Sequence, residues 1–442
     1  MSNSYLLVQK SEKLSGEVFV SGSKNAALAI MASLILVKGE STLYNIPHSA
    51  DVTHMIQLLQ DLGAYVDFDP LHHRLVVDTT LLHTFRVREE IMTKMRASMV
   101  VTGPLLARFG QAEIAFPGGC TIGSRSIDLH LKGFERMNTV LHADGLFLKA
   151  ILSSTDETPA HNRRIVLDYP SVGATENIMM LATKILGTTT IVNAAHEPEV
   201  FDLIEVLQKM GADINAHPGA LIVIKGGIEL RPITHTVIAD RLEAGALLLA
   251  AGMTGGNIFL PNAHARHMDI FLEKLQEMGH QITTTDNGLF LRATLTPRAV
   301  SFKTGPYPNF PTDLQAPLMA AQCVANGTSI VEETVFENRL MHVHELQKMG
   351  AQINVDGNIA IVRGVDGLYG SEVIATDIRA SCALMLAGLV AEGTTKMTGI
   401  HHWKRGYDRL EMKIQRLGGN VELKNYDTSE TNSLPKVQKS QQ

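Results

Sequence analysis

Basic residues recur at the start of apolar, helix-like segments in this 442-residue sequence, where their type and position suit anion binding. Lys24 with Asn25, Arg96 and Arg379 each stand at such a start. A helix N-terminus carries unsatisfied N–H groups and the positive end of the helix dipole, so it attracts phosphate or carboxylate and disfavours a side-chain cation. Cations that recur there need an anion to neutralise them, and the pattern indicates a site for a strongly anionic ligand.

A simpler interpretation of each helix start stays open. Ser171, Asp313 and Asp377 occupy equivalent positions and could act only as N-caps, and the basic residues could be solvated surface charges. The same holds for Arg339 in "VFENRLMHVHEL" and Arg405 in "HHWKRGYDRL", which an exposed charged loop would explain. Recurrence across several segments favours the anion site over these alternatives.

The stretch "FPGGCTIGSRSIDLHL" places Cys120 directly after two glycines and five residues before Arg125. A thiolate forms more readily beside cations, and it can exchange a proton or attack carbon near neutral pH. Cys323 and Cys382 instead lie in apolar helix-like runs, where a cysteine is usually a small buried hydrophobic residue. The odd count of three cysteines fits reduced thiols better than a disulfide framework.

A repeated unit must position these residues. A helix that ends in Gly and leads into a short strand recurs as "LLQDLGAYV", "VLQKMGADI", "KLQEMGHQI", "ELQKMGAQI" and "KIQRLGGNV". The interval between the first two copies is about twice the others, and "GFERMNTVL" fills it with Asn138 in place of Gly. Asn tolerates the left-handed conformation best among residues other than Gly, so Asn138 is predicted to adopt it. Each copy adds a more apolar helix and a β-rich segment, which predicts six mixed α/β units of about 70 residues.

Six such units predict two domains of three units each. One domain is predicted to span 22–230 and the other 1–21 together with 231–425. The N-terminal segment has strands but no unit of its own, so it is expected to complete the sixth unit. The final residues, 426–442, are polar and are predicted to be disordered.

Composition excludes several functional classes. Hydrophobic residues make up 45% and charged residues 19%, which predicts a globular chain, and the net charge of −6 argues against a nucleic-acid partner. The N-terminus lacks the signal-peptide pattern and no apolar run is long enough to span a membrane, so no membrane partner and a cytoplasmic location are expected. The sequence leaves protein partners and oligomeric state open.

Nine motifs, in this order, make the sequence similar to the enolpyruvyl transferases that act on UDP-N-acetylglucosamine: "SGSKNAAL", "MRAS", "PGGCTIGSRSIDLHL", "PSVGAT", "ADRLEAG", "FPTDLQA", "ETVFENRLMHV", "TDIRAS" and "RGYDR". The resemblance covers residues 5–425. It implies a two-domain inside-out α/β barrel in which each domain contains three βαβαββ units. This agrees with the repeat pattern, which was obtained from the sequence independently.

The resemblance also implies a reaction. The enolpyruvyl group of phosphoenolpyruvate would pass to the 3′-hydroxyl of UDP-N-acetylglucosamine with release of phosphate, the first committed step of peptidoglycan precursor synthesis. Addition and elimination through a tetrahedral ketal would need no metal or other cofactor. Cys120 would lie on an active-site lid as proton donor, could hold a covalent phosphoenolpyruvate adduct and would be the target of fosfomycin. Asp313 would be the base for the sugar hydroxyl, with Lys24 and Arg405 completing the catalytic set.

The same resemblance implies two sets of binding residues. Those for phosphoenolpyruvate are Lys24, Asn25, Arg96, Arg125, Arg379 and Arg405. Those for UDP-N-acetylglucosamine are Asn25, Arg96, Arg125, Ser126, Ile127, Asp128, Leu129, Ser171, Val172, Gly173, Asp313, Val335 and Arg339.

Three residues depart from the pattern of many relatives: Ser126 stands in place of Pro, Tyr169 in place of Lys, and Lys404 in place of an acidic residue. Two alternatives stay open. One is the sister transferase that acts on shikimate 3-phosphate, which shares the fold and the phosphoenolpyruvate chemistry but lacks the "PGGC" lid. The other is an inactive relative that senses UDP-sugar or regulates the pathway through a partner. Such a protein would be expected to lose members of the catalytic set, all of which are present.

Overall fold

The computed structural model describes residues 4–94, 96–116, 122–123, 127–153 and 162–426. For residues 93, 94 and 96–98, it describes only the backbone. The polar tail predicted for 426–442 therefore lies outside the described residues, apart from Tyr426. The described chain alternates helices and strands throughout, which confirms the predicted mixed α/β class.

The helices are α1 Lys24–Ser33, α2 Ala50–Asp61, α3 Glu89–Lys94, α4 Thr102–Phe109, α5 Asp128–Glu135, α6 Val172–Ala182, α7 Pro198–Met210, α8 Arg241–Thr254, α9 Asp269–Glu277, α10 Gln315–Gln322, α11 Val343–Lys348, α12 Ile378–Val390, α13 Ile400–Gly406 and α14 Leu410–Arg416. Short 3₁₀ helices span Leu34–Leu36, Arg96–Val101, Ala265–His267 and Thr312–Leu314.

The strands are β1 Ser4–Gln9, β2 Ser15–Glu17, β3 Glu40–Tyr44, β4 Tyr65–Asp69, β5 Arg74–Asp78, β6 Gln111–Ala115, β7 Thr139–Asp144, β8 Phe147–Leu152, β9 Arg163–Val166, β10 Gly187–Val192, β11 Asp213–His217, β12 Leu221–Gly226, β13 Thr234–Thr236, β14 Asn257–Leu260, β15 Gln281–Thr285, β16 Gly288–Arg292, β17 Phe302–Lys303, β18 Thr328–Glu332, β19 Gln352–Asp356, β20 Ile359–Arg363, β21 Leu368–Tyr369, β22 Glu372–Ile374, β23 Ala391–Glu392, β24 Thr394–Thr398 and β25 Val421–Asn425.

These strands form small separate sheets rather than one large sheet. The first half of the chain contains the orders β13-β3-β5-β4, β6-β8-β7 and β11-β12-β10-β9. The second half contains β15-β16-β14-β2, β17-β18-β20-β19 and β22-β24-β1-β25, with β21 and β23 as an additional pair. Five of these six sheets of three or four strands contain two antiparallel strands that are joined by a short turn, such as β4 and β5. In the sixth, β1 pairs with β24 and β25 instead.

The N-terminal strand closes the last of these sheets, as the sequence predicted. In β1, Leu6 pairs with Met397 of β24 on one side and with Leu423 of β25 on the other. The first and last parts of the chain are therefore joined by backbone hydrogen bonds.

Apolar helices fill the centre of each half. Helix α12 is buried from Arg379 to Leu389, because apolar residues surround it and leave no polar face for solvent. One hydrophobic core contains residues from Ala26 to Val237, and a second contains residues from Leu6 to Val20 and from Leu242 to Val421. Strand β13 pairs with β3, so the chain stays with the first core up to residue 237.

Two local predictions are confirmed. Asn138 has a φ of 60°, the left-handed conformation that the other units assign to Gly, for example Gly211 with a φ of 111° at the end of α7. Cys323 and Cys382 are buried and unpaired. Within the described ranges, no helix has the length and apolar character needed to cross a membrane.

Candidate active site

Several helix starts are occupied by ordinary N-caps. Asp377 accepts hydrogen bonds from the backbone N–H groups of Arg379 at 2.8 Å and Ala380 at 3.1 Å. Ser171 accepts from the N–H of Ala174 at 3.4 Å at the start of α6. At these two positions the polar side chain caps and stabilises its own helix.

Asp313 does not act as a cap, and its carboxylate holds two buried arginines. It lies in the 3₁₀ turn before α10, where Arg339 donates from Nη2 to Oδ1 at 2.7 Å and Arg379 donates from Nη2 to Oδ2 at 2.8 Å. Both guanidinium groups are almost fully buried, whereas about a quarter (26%) of the Asp313 side chain is exposed. The sequence predicted that Arg379 needs an anion, and Asp313 supplies at least one.

The charge of Arg379 is secured by this arrangement. Burial acts to lower its pKa, but the negative charges of Asp313 and Asp240 and the hydrogen bond to Asp313 outweigh burial and raise the pKa well above its ordinary value. A permanently charged donor thus faces one oxygen of the Asp313 carboxylate. Such charge-assisted hydrogen bonds are stronger and more directional than neutral ones.

A second carboxylate joins residues from the two hydrophobic cores. Asp51, in the first turn of α2, lies 3.3 Å from Lys24 Nζ and accepts a 2.8 Å hydrogen bond from Nε of Arg405 in α13. Asp51 and Lys24 are buried, and the Arg405 side chain is 30% exposed. The sequence analysis predicted both cations but missed the acid between them.

The ionised form of Asp51 is stabilised by its neighbours. Burial alone would raise the pKa of this carboxyl group, but the charge of Lys24 and the hydrogen bond and charge of Arg405 outweigh burial and lower it. A buried carboxylate that is ionised next to two cations holds them at a fixed separation. The cluster can receive a phosphate or carboxylate only where the cations keep donors directed away from Asp51.

A buried glutamate orders the segment next to Asp313. Glu333 accepts from the hydroxyl of Thr312 at 2.9 Å and from the backbone N–H of Val335 at 2.8 Å. It is 2% exposed. The predicted nucleotide contact Val335 is therefore held against the turn that carries Asp313, and Glu333 is a further residue that the sequence analysis missed.

The predicted UDP-sugar residues of the first half come from two adjacent helix starts. Ile127, Asp128 and Leu129 begin α5, and Ser171, Val172 and Gly173 begin α6. A 3.0 Å hydrogen bond between His130 and Asn177 joins the two helices. Asn25 is the second residue of α1, next to Lys24.

Other predicted residues cannot be placed in this way. Cys120, Arg125 and Ser126 lie outside the described residues, and Arg96 is described by its backbone alone, at the start of a 3₁₀ helix.

The described residues beside Cys120 contact the opposite half of the protein. The carbonyl of Ile122 accepts from the N–H of Asn338 at 3.0 Å. A Cβ atom added to Gly123 would lie 2.1 Å from Oε2 of Glu337, and its φ of +151° also disfavours a side chain. The "VFENRL" segment, which an exposed charged loop could have explained, is instead in contact with the residues that follow the "PGGC" motif.

Comparison with known proteins identifies the family of this chain. The family profile for EPSP synthase (3-phosphoshikimate 1-carboxyvinyltransferase) matches residues 8–414. UDP-N-acetylglucosamine 1-carboxyvinyltransferase 1 from Caldanaerobacter subterraneus is 46% identical over 415 residues, covering 94% of this chain and 98% of the relative. UDP-N-acetylglucosamine 1-carboxyvinyltransferase from Geobacter metallireducens is 43% identical over 416 residues, with the same coverage. The chain belongs to the UDP-N-acetylglucosamine 1-carboxyvinyltransferase family.

Solved structures show the fold that this family shares with other enolpyruvyl transferases. The enolpyruvyl transferase NikO from Streptomyces tendae superposes with a TM-score of 0.85 at 22% identity, covering 96% of this chain and all (100%) of that one. EPSP synthase from Acinetobacter baumannii gives a TM-score of 0.74 at 14% identity, with the same coverage. The resemblance inferred from nine motifs is thus confirmed at the level of family and overall fold.

Proposed function

We propose that the protein transfers the enolpyruvyl group of phosphoenolpyruvate to the 3′-hydroxyl of UDP-N-acetylglucosamine and releases phosphate, as the first committed step of peptidoglycan precursor synthesis. The identity of 43% or more along 94% of the chain with relatives of that name carries this proposal. The two carboxylate–cation clusters fit it, because they supply a candidate base and candidate anion-binding donors. Phosphoenolpyruvate is an intermediate of central metabolism, so we place the reaction in the cytoplasm.

Each cluster has a proposed task. Lys24 and Arg405, with Asn25, Arg96, Arg125 and Arg379, bind the phosphate and carboxylate of phosphoenolpyruvate. Asp313 removes the proton of the sugar hydroxyl while Arg339 and Arg379 fix its orientation at 2.7 and 2.8 Å. Cys120 delivers a proton to the methylene carbon, which makes the neighbouring carbon electrophilic. The cations stabilise the charge that develops on phosphate and carboxylate oxygens.

The UDP-sugar is proposed to bind along the helix starts of the first half. Its contacts are Asn25, Arg96, Arg125, Ser126, Ile127, Asp128, Leu129, Ser171, Val172 and Gly173, with Asp313, Val335 and Arg339 from the second half. Tyr169 and Ser126, which depart from the residues of many relatives, belong to this set or lie beside it.

We further propose that the sheets form two inside-out α/β barrel domains, each of three βαβαββ units. The two separate hydrophobic cores support this division. The chain would cross between domains near residue 21 and again after residue 237, later than the boundary at 230 that the sequence predicted, because β13 pairs with β3.

A phosphate-release assay tests the proposed function. With phosphoenolpyruvate as donor, we expect phosphate release with UDP-N-acetylglucosamine and none with shikimate 3-phosphate. The reverse preference would assign the protein to the sister activity. Tight UDP-sugar binding without phosphate release would favour the inactive regulatory relative.

Replacing Arg405 with Lys is expected to lower kcat/KM for phosphoenolpyruvate about ten- to hundred-fold. This corresponds to a loss of roughly 1.5–3 kcal/mol in transition-state stabilisation. Lys keeps the charge but loses the planar fork, one nitrogen of which is aligned by Asp51 at 2.8 Å. Steady-state kinetics measure the effect. Arg416→Lys, at an exposed position on α14, is the matched control, and equal kinetics in the two variants would mean that the guanidinium fork of Arg405 does not bind phosphoenolpyruvate.

Replacing Cys120 with Asp is expected to retain substantial activity with a pH optimum shifted toward acid. A carboxyl group can deliver a proton, but its reference pKa is about 3.9 against about 8.5 for a thiol, so its protonated form is scarcer at neutral pH. The pH–rate profile measures this shift. Fosfomycin should inactivate the wild type and a Cys323→Ala control but not the Asp variant, whereas a folded, inactive Asp variant would exclude the simple proton-donor role.

A further inference from the structure

Tyr407 contacts Arg379 through a different guanidinium nitrogen from the one that binds Asp313. Nη1 of Arg379 donates to the Tyr407 hydroxyl at 3.2 Å, while Nη2 donates to Asp313 at 2.8 Å. Both residues are 4% exposed. The two ends of one planar guanidinium group are therefore held by two different oxygens, which defines the plane as well as the position of the donor.

The tyrosine is itself rigidly placed. Its ring packs on Trp403 with 5.2 Å between centroids, and its hydroxyl forms a side-chain hydrogen bond with Cys382. Burial raises the pKa of Tyr407 well above its ordinary value and raises the pKa of Cys382 to about 11. Both groups are therefore neutral near pH 7, so the phenolic oxygen is an acceptor for Arg379 rather than a counterion.

The segment that carries Tyr407 also carries Arg405, which reaches Asp51. Between them, Gly406 lies directly against the start of α12, because an added Cβ would lie 2.2 Å from Cγ2 of Ile378. A larger residue would push this segment away from Arg379. One short stretch of backbone thus contacts both carboxylate clusters, one through Arg405 and one through Tyr407.

We infer that Tyr407 is a positioning residue: its hydroxyl fixes the plane of Arg379 and thereby the orientation of Asp313. The same segment places Arg405 against Asp51, so both carboxylate clusters are positioned together. This inference rests on the proposed function, in which Asp313 acts as base. With phenylalanine at 407, Arg379 keeps its bond to Asp313 but loses its second anchor. The guanidinium group can then rotate about the remaining bond, and the carboxylate is held less firmly toward the sugar hydroxyl.

The test is the Tyr407→Phe variant, which removes one oxygen and keeps the ring. We expect kcat to fall roughly ten-fold, because a small misplacement of a reacting group is costly, with KM for UDP-N-acetylglucosamine within about two-fold of the wild type. The acid limb of the kcat profile should move to higher pH, because a less firmly held Arg379 stabilises the carboxylate form of Asp313 less. Steady-state phosphate release across pH and thermal unfolding are the measurements.

Cys382→Ala is the matched control, because it disturbs the same buried layer without removing the Arg379–Tyr407 hydrogen bond. It should lower the melting temperature while leaving the acid limb in place. An acid limb that does not move in Tyr407→Phe, or one that moves equally in Cys382→Ala, overturns the inference. A wild type without phosphate release overturns the proposed function and this inference with it, whereas an active wild type with unchanged Tyr407→Phe kinetics overturns this inference alone.

Discussion

Replacing Asp313 with Asn is expected to lower kcat by about 10²- to 10⁴-fold, the range that a positioned general base contributes. Asn keeps the shape of the side chain and can still accept one hydrogen bond, but it cannot take up the proton of the sugar hydroxyl. It also leaves Arg339 and Arg379, both almost fully buried, without the carboxylate that neutralises them. We therefore also expect a lower melting temperature, because a buried cation that loses its counterion is destabilising.

The two effects of this variant can be separated. Activity is measured by phosphate release at a temperature well below the melting transition, and circular dichroism verifies that the variant is folded. Asp286→Asn, an exposed aspartate in the turn between β15 and β16, should change neither quantity. A folded Asp313→Asn variant with kcat near that of the wild type would exclude Asp313 as the base and leave it as the counterion of two arginines.

Much of the fold was predictable because each repeat is marked by residues that act on the local backbone conformation. The Gly that ends each helix marks the return into a strand, and even the exception, Asn138, obeys the same conformational rule with a φ of 60°. The pairing of β1 with β24 and β25 was predictable because the N-terminal segment has strands but no unit of its own, and was therefore expected to complete the sixth unit. The pairing of β13 with β3 was not predictable, because "THT" in β13 is a short polar strand whose partner is distant in sequence.

The candidate site was predictable in its cations but not in all of its acids. A lysine or arginine at a helix start conflicts with the helix dipole, and this conflict drew attention to Lys24 and Arg379. Asp51 gives no such signal, since an acidic residue in a first helical turn is favourable on its own account. Only the approach of Arg405, which lies 354 positions away in sequence, distinguishes it from an ordinary dipole partner.

The last prediction concerns the stability that Asp51 provides. Asp51→Asn is expected to lower the free energy of unfolding by about 3–5 kcal/mol at pH 7, the usual cost of removing one partner from a buried ion pair. The variant keeps the side-chain volume but leaves Lys24 buried beside a neutral amide. It should also raise KM for phosphoenolpyruvate, because Lys24 and Arg405 lose the carboxylate that holds them in place. In the wild type, Lys24 Nζ lies 3.3 Å and Arg405 Nε lies 2.8 Å from the two oxygens of Asp51.

The lowered pKa of Asp51 predicts how its contribution to the free energy of unfolding depends on pH. The pKa of Asp51 is lowered in the folded protein from an ordinary value of 3.8, so the folded state binds this proton less readily than the unfolded chain. The carboxylate therefore contributes its full stabilisation above about pH 4, and loses it as the pH falls through the lowered folded value. Asn cannot titrate, so the difference in unfolding free energy between wild type and variant should be constant from pH 8 to 5 and narrow only below about pH 4.

Urea unfolding of both proteins at several pH values measures this difference. Asp67→Asn is the matched control, because Asp67 forms an exposed ion pair with Arg74 at 3.3 Å in the same half of the chain. An exposed pair contributes at most about 1 kcal/mol, so the control should change stability little at any pH. If Asp51→Asn were no more destabilising than Asp67→Asn, the Lys24–Asp51–Arg405 cluster would not hold the two halves together. Arg405 would then have to be positioned by the backbone of its own segment, through Gly406 packed against Ile378.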